Sequence, residues 1–259
     1  MALVEYNEYA PGCGLITLND PSNLNAMGED MAAEFKALVH LLKPNAQSLR
    51  CIIITGAGRA FSAGGNLEML EKKIQLSSEE NYKRMRNFYD SFLSILELNI
   101  PLIAAVNGHA VGAGLCVATA CDVRIAAEGA KFGVTFTRLG LHPGMGGTYF
   151  LPKVLGYAAA AELMLTGRVI DAAEALRIGL VSKVEKAENL LGQAKLIAAE
   201  IAQCGPLANH QLVESLRKSP DSLETALGRE ASCQSINYAS SQFKEGVRAA
   251  IEKRPANFS

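Results

Sequence analysis

Apolar and polar positions along the chain follow two distinct periods. Over the first 190 or so residues, short apolar runs alternate with helical patterns. "GLITLND" (14–20) reads as a strand that ends in an Asp-Pro turn. "MGEDMAAEFKALVHLLKP" reads as a helix with acids in its first turn and Pro44 as its stop. "LRCIIITGAG" and "PLIAAVNG" are nearly continuous β-branched or apolar runs, the signature of strands covered on both faces. Between them, "SSEENYKRMRNFYDSFLSILEL" opens on a capping-box pattern, Ser77 with Glu80, and its apolar positions 82, 85, 89, 92, 93 and 96 trace one helical face. "DVRIAAEGAKFGV" supplies two short β runs about a glycine turn, and "GLVSKVE" another. After about residue 187 the β runs stop. "ENLLGQAKLIAAEIAQ", "PLANHQLVESLRK", "SLETALGREASCQSINYA" and "SSQFKEGVRAAIEKR" all carry helical periodicity. An α/β core over 1–190 followed by a helical region over 191–259 is the expected division.

Composition narrows the function classes. The chain has 259 residues, 49% of them hydrophobic and 20% charged, with a formal net charge of −1, so a broad basic face for nucleic acid is not expected. No apolar stretch is long enough to span a bilayer, and "MALVEYNEYAPG" has neither the basic start nor the apolar centre of a signal peptide. Six cysteines, at 13, 51, 116, 121, 204 and 233, form no CxxC pair and sit mostly in apolar runs. Reduced thiols in a cytoplasmic setting account for them, with no metal site expected.

Three glycine-rich segments follow β runs: "GAGRAFSAGGNL" (56–67), "HAVGAGLCVATACD" (109–122) and "GLHPGMGGTYF" (140–150). None matches GxGxxG or GxxxxGK[ST], so a nucleotide-binding fold is a poor fit. A glycine turn feeding a helix presents unpaired N–H groups at the positive end of the helix dipole. Two such turns aimed at one carbonyl oxygen would form an oxyanion hole; glycines serving only tight turns and close packing are the alternative.

"AFSAGGNL", "PLIAAVNGHAVGAG", "ACDVRIAAEGAKFG", "LGLHPGMGGT", "LTGRVIDAAEALRIGLVSKV" and "EGVRAAIEKRPANF" together resemble the enoyl-CoA hydratase/isomerase (crotonase) superfamily, in order and over nearly the whole chain. The resemblance implies a crotonase-like (ClpP/crotonase) α/β fold, a spiral of ββα turns with a helical C-terminal region that helps trimerisation. It implies an acyl-CoA thioester as substrate, no cofactor beyond the coenzyme A of that substrate, and a homotrimer or dimer of trimers. It places the two oxyanion-hole amides on Ala63 and Ala113. It suggests Leu24, Ala26, Arg59, Gly64, Gly65, Asn66 and Lys253 as further contacts to the substrate or its CoA moiety.

The catalytic side chains depart from the pattern. The two glutamates by which hydratases of this superfamily hold water and move protons correspond to Cys116 and Phe136. Cys116 reads as apolar packing, as a thiolate favoured by a helix N-terminus, or as a weak donor to a ligand. His142 is the leading candidate for a substitute acid or base, since imidazole titrates near neutrality, with a histidine satisfied by neighbouring backbone as the alternative. The expected activity is acyl-CoA processing through a stabilised enolate, nominally enoyl-CoA hydration. Decarboxylation or thioester hydrolysis on the same fold, or acyl-CoA binding without turnover, are the alternatives.

Overall fold

The computed structural model describes residues 2–218 and 220–258. In chain order the elements are β1 (Val4–Ala10), β2 (Cys13–Leu18), α1 (Glu29–Leu42), β3 (Cys51–Gly56), β4 (Ala60–Ser62), α2 (Leu67–Lys73), α3 (Ser78–Leu93), β5 (Leu102–Val106), β6 (His109–Val111), α4 (Ala113–Ala120), β7 (Val123–Ala127), β8 (Lys131–Gly133), α5 (Gly147–Leu155), α6 (Tyr157–Thr166), β9 (Val169–Asp171), α7 (Ala172–Arg177), β10 (Lys183–Glu185), α8 (Ala187–Ala202), α9 (Pro206–Lys218), α10 (Leu223–Ala239) and α11 (Ser241–Glu252).

The strands form two sheets, one ordered β1-β2-β3-β5-β7-β10 and one ordered β4-β6-β8-β9. Three consecutive strand pairs, β3/β4, β5/β6 and β7/β8, each begin in the larger sheet and end in the smaller one. Repetition of that step, with a helix or helical turn after it, is the spiral of ββα units. The two β runs of 122–134 therefore do not pair with each other: β7 joins β5 and β10, and β8 joins β6 and β9.

The larger sheet is covered on both faces, which explains the continuous apolar strands. Successive side chains of a strand point to opposite faces. Ile52, Ile54, Leu102 and Ala104 join the main core with Phe35 of α1, Phe88 and Phe92 of α3, and α4. Cys51, Ile53, Ile103 and Ala105 face the other way, onto Leu190, Ala194 and Ala198 of α8. Those three recur every four residues, one stripe of a helix. Helix α4 is buried at every position from Ala113 to Ala120 and runs through the core, apolar but for Thr119, whose hydroxyl donates to the Cys116 carbonyl at 2.8 Å. At the start of α3 the Ser77–Glu80 capping box forms as its sequence predicts.

Helices α9–α11 extend the chain beyond α8. Arg217 of α9 anchors them to the core: its guanidinium donates to both carboxylate oxygens of Asp122, at 3.0 and 2.7 Å, and to the Ile100 carbonyl at 2.9 Å. The side-chain nitrogen of Asn25 donates to the carbonyls of Ala57 and Ala60, which ties the 20–25 loop to the start of β4.

Candidate active site

Two glycine turns from successive spiral units meet at one cavity. The first leaves β4 and enters α2; the second leaves β6 and enters α4. Gly64 in the first has φ +94°, and a side-chain carbon there would lie 2.6 Å from the Val111 carbonyl and 3.5 Å from the Ala113 nitrogen. Only glycine permits that approach. In the second turn Gly112 has φ +52° and caps α4, and a carbon on Gly114 would strike the Ser62 carbonyl at 2.6 Å. The turns therefore pack backbone against backbone.

Following each amide of the first turn shows which is free. Ala63 N–H donates to the Leu24 carbonyl at 2.9 Å, and Gly64 N–H donates to Ser62 Oγ at 3.1 Å. Asn66 N–H donates to the Met27 carbonyl at 2.9 Å. Gly65 N–H finds no acceptor among the described residues. Ala63 is thus the wrong residue for the first donor: its proton is already committed to Leu24, and the free amide lies two residues on. In the second turn Gly112 N–H is spent on the Gly133 carbonyl at 2.8 Å, whereas Ala113, first residue of α4, has no acceptor among the described residues. Ala113 therefore has a free N–H, as its sequence position implies for a helix start.

Gly65 and Ala113 line one cavity of about 190 Å³. Its other walls are largely apolar: Leu67, Met69, Leu70, Met85, Phe88, Phe136, Leu139, Leu141 and Met145, with Tyr89 and Thr135 the two hydroxyl-bearing side chains. No carboxylate, imidazole or thiol is among the lining residues. The Phe136 ring reaches the second turn, 3.9 Å from where a side-chain carbon on Gly112 would sit. An unpaired N–H beside such walls faces little competing water, and a charge developing on an oxygen there is held more strongly than in bulk solvent.

The other candidate side chains are placed elsewhere. Cys116 is fully buried and packs towards Gly147 of α5. Burial alone pushes its thiol up to about 12. With the thiol fully buried in apolar surroundings, the thiolate reading fails and apolar packing stands. His142 is exposed, its Nδ1 lies 2.8 Å from the carbonyl of the adjacent Pro143, and it is not in the cavity wall. Leu139, Leu141 and Met145 of the 139–145 loop line the cavity instead, Met145 buried and the two leucines still exposed.

A second hollow of about 340 Å³ shares Met69 with the first as a lining residue. Ala26, Gly28 and Asn66 line it with both the cations Lys72, Lys73 and Arg84 and the carboxylates Asp20, Glu29, Asp30 and Glu68. Asn66 also caps α2, accepting from Met69 N–H at 2.9 Å. Leu24 contributes its carbonyl to Ala63 and adopts a left-handed conformation, φ 55°. Arg59 and Lys253 are exposed and line neither hollow. Among the described residues no group of three or more His, Cys, Asp or Glu could hold a metal ion, and no helix is long and apolar enough to cross a membrane.

Sequence reasoning missed Gly65 as the free amide, and it missed Tyr89 as a cavity residue. The periodicity of α3 did place position 89 on its inward face, but a core position and a cavity wall have the same signal.

The two-sheet spiral defines a class of fold, and comparison with known proteins identifies the family. The family model described as enoyl-CoA hydratase/isomerase matches residues 8–259. The chain belongs to that family. It is 37% identical over 246 residues to the crotonyl-CoA hydratase of Syntrophomonas wolfei, covering 94% of this chain and 93% of the relative. Its fold matches the crystal structure of an enoyl-CoA hydratase from Bacillus anthracis with a TM-score of 0.89 at 33% identity, covering 99% and 98% of the two chains. It also matches one from Polaromonas sp. JS666 with a TM-score of 0.91 at 30% identity, covering 98% of each.

Proposed function

We propose that this enzyme holds the thioester oxygen of an acyl-CoA between the N–H groups of Gly65 and Ala113 and so stabilises an enolate. Family membership supports acyl-CoA processing by a hydratase or isomerase, with no cofactor beyond the CoA of the substrate. The observation that carries the reading is the pair of unspent amides at one apolar cavity. Each such donor is worth about 3 kcal/mol to a developing oxyanion. The hollow lined by Ala26, Asn66, Lys72, Lys73 and Arg84 offers three cations to the phosphates of the CoA moiety, each of them ion-paired in the single chain, Lys72 with Glu68 and Lys73 and Arg84 with Glu29, so phosphate binding there requires those pairs to open.

Nominally the reaction is hydration of a short 2-enoyl-CoA. A second reading, decarboxylation of a malonyl-type thioester, is favoured by the absence of any carboxylate or imidazole among the lining residues. Departing CO₂ leaves its electron pair as the enolate, so that reaction needs the two amides but no base. Calorimetry with butyryl-CoA and free CoA tests the shared core of both readings. The thioester should bind more tightly than CoA, and Ala113→Pro should remove most of that difference; equal binding of the two ligands would contradict the proposal.

Assembly as a homotrimer or dimer of trimers belongs to the same proposal. Helix α10 has no buried residue in the single chain, and Leu223, Leu227, Ile236, Val247 and Ile251 of α10 and α11 stand exposed. An apolar surface of this kind asks for cover, which fits the helical region within 191–259 to subunit contacts. The reduced-thiol reading of the cysteines fits a cytoplasmic location.

A further inference from the structure

We propose that the Tyr89 phenol is a catalytic residue that delivers the proton to Cα of the enolate held by Gly65 and Ala113. The inference rests on the acyl-CoA reading above and adds the proton carrier that reading lacks.

Hydratase-type chemistry needs a proton at Cα, and the positions expected to supply it are empty of function. Cys116 is sealed in the core, Phe136 carries no exchangeable proton, and His142 faces outwards. Of the residues lining the cavity, only Tyr89 and Thr135 bear a hydroxyl. A phenol is the far stronger acid of the two, with an ordinary pKa near 10. Tyr89 projects from α3, and its ring packs edge-on to Phe88 with centroids 6.3 Å apart. Its hydroxyl abuts Gly144, where any side-chain carbon would run into it. It makes no hydrogen bond with the described residues, so its proton is not committed elsewhere. Burial, and secondarily the nearby Cys116, hold the phenol above its usual pKa, so it stays protonated at neutral pH and acts as an acid.

The step balances for either route into the enolate. In hydration, the water oxygen bonds Cβ and releases a proton to solvent, and the C=C electron pair shifts towards the thioester oxygen. In decarboxylation, the Cα–carboxylate bond breaks and its pair does the same. The enolate then collapses onto the phenol proton, forming the Cα–H bond, and the phenolate regains a proton from solvent.

The test uses the full chain, crotonyl-CoA and methylmalonyl-CoA as probes, and D₂O as solvent, with Tyr89→Phe as the variant. Turnover is followed by mass spectrometry and the position of deuterium by NMR. With whichever probe the wild type converts, kcat in Tyr89→Phe should fall about a hundredfold while KM stays within about twofold. Deuterium at Cα should change from one stereochemical position to a mixture of both. A merely structural role for the hydroxyl would not move that stereochemistry. Unchanged kcat and stereochemistry in Tyr89→Phe would overturn the inference. So would a wild type that binds both thioesters calorimetrically yet converts neither. If neither thioester binds better than CoA, the acyl-CoA reading itself falls, and this inference with it.

Discussion

The cavity has two unlike walls. One is built from the backbone of the Ser62–Asn66 and Gly112–Gly114 turns; the other from side chains of α3 and the 135–145 segment. At position 113 the backbone wall tolerates a change of residue, because alanine there offers the same N–H as glycine would. The side-chain wall has no such tolerance: a phenylalanine at 136 abolishes whatever proton transfer a carboxylate would perform there. A fold that places its oxyanion donors on main-chain atoms can therefore retain charge stabilisation while its acid–base chemistry is rewritten.

Breaking the backbone wall should produce the largest effect. Gly64→Val forces a branched side chain into φ +94° and against the Val111 carbonyl. It should lower stability by several kcal/mol and abolish thioester binding, seen as a fall in Tm and a flat calorimetric trace. Ala113→Pro is gentler on the fold, since proline is accepted at the first helical position. Removing this one N–H should lower kcat about 10²–10³-fold, with the circular-dichroism spectrum unchanged.

Changes to the other wall sharpen the contrast. Phe136→Glu returns a carboxylate beside the Gly112 turn and should raise crotonyl-CoA hydration at least about tenfold. The apolar surroundings will raise the new carboxyl's pKa, so the gain should grow as pH rises through that value. A steady-state pH profile of the variant reads both effects. Cys116→Ala should have the smallest effect. It should leave turnover within about twofold, because the native thiol, pushed up to about 12, contributes no thiolate near neutrality. By the same argument, iodoacetamide should fail to label Cys116 in the folded protein at pH 8.

Much of this was legible in the sequence because periodicity reports burial. The unbroken apolar runs of 51–56 and 102–106 anticipated strands covered on two faces, α1, α3, α8 and α9 bury residues on their helical stripes, and α10 forms as a helix with no residue buried. β1 was not legible: its alternation of Val4 and Tyr6 with Glu5 and Asn7 belongs to an edge strand that buries little. The site was legible as motifs but not as hydrogen bonds. Spacing within "AFSAGG" could not show that Leu24, 39 residues earlier, already takes the Ala63 proton, which moves the free donor to Gly65. Nor could it show which way the 139–145 loop turns, and His142 was expected inside for that reason. Tyr89 was assigned to the correct helix face, but whether that face meets packed core or open cavity depends on Gly144, 55 residues away.

The most direct test is a crystal structure with acetoacetyl-CoA bound. The thioester oxygen should lie about 2.7–3.1 Å from both Gly65 N and Ala113 N, with the Ala63 to Leu24 hydrogen bond intact. An oxygen that contacts neither nitrogen, or that breaks the Leu24 bond to take the Ala63 proton, would contradict the account.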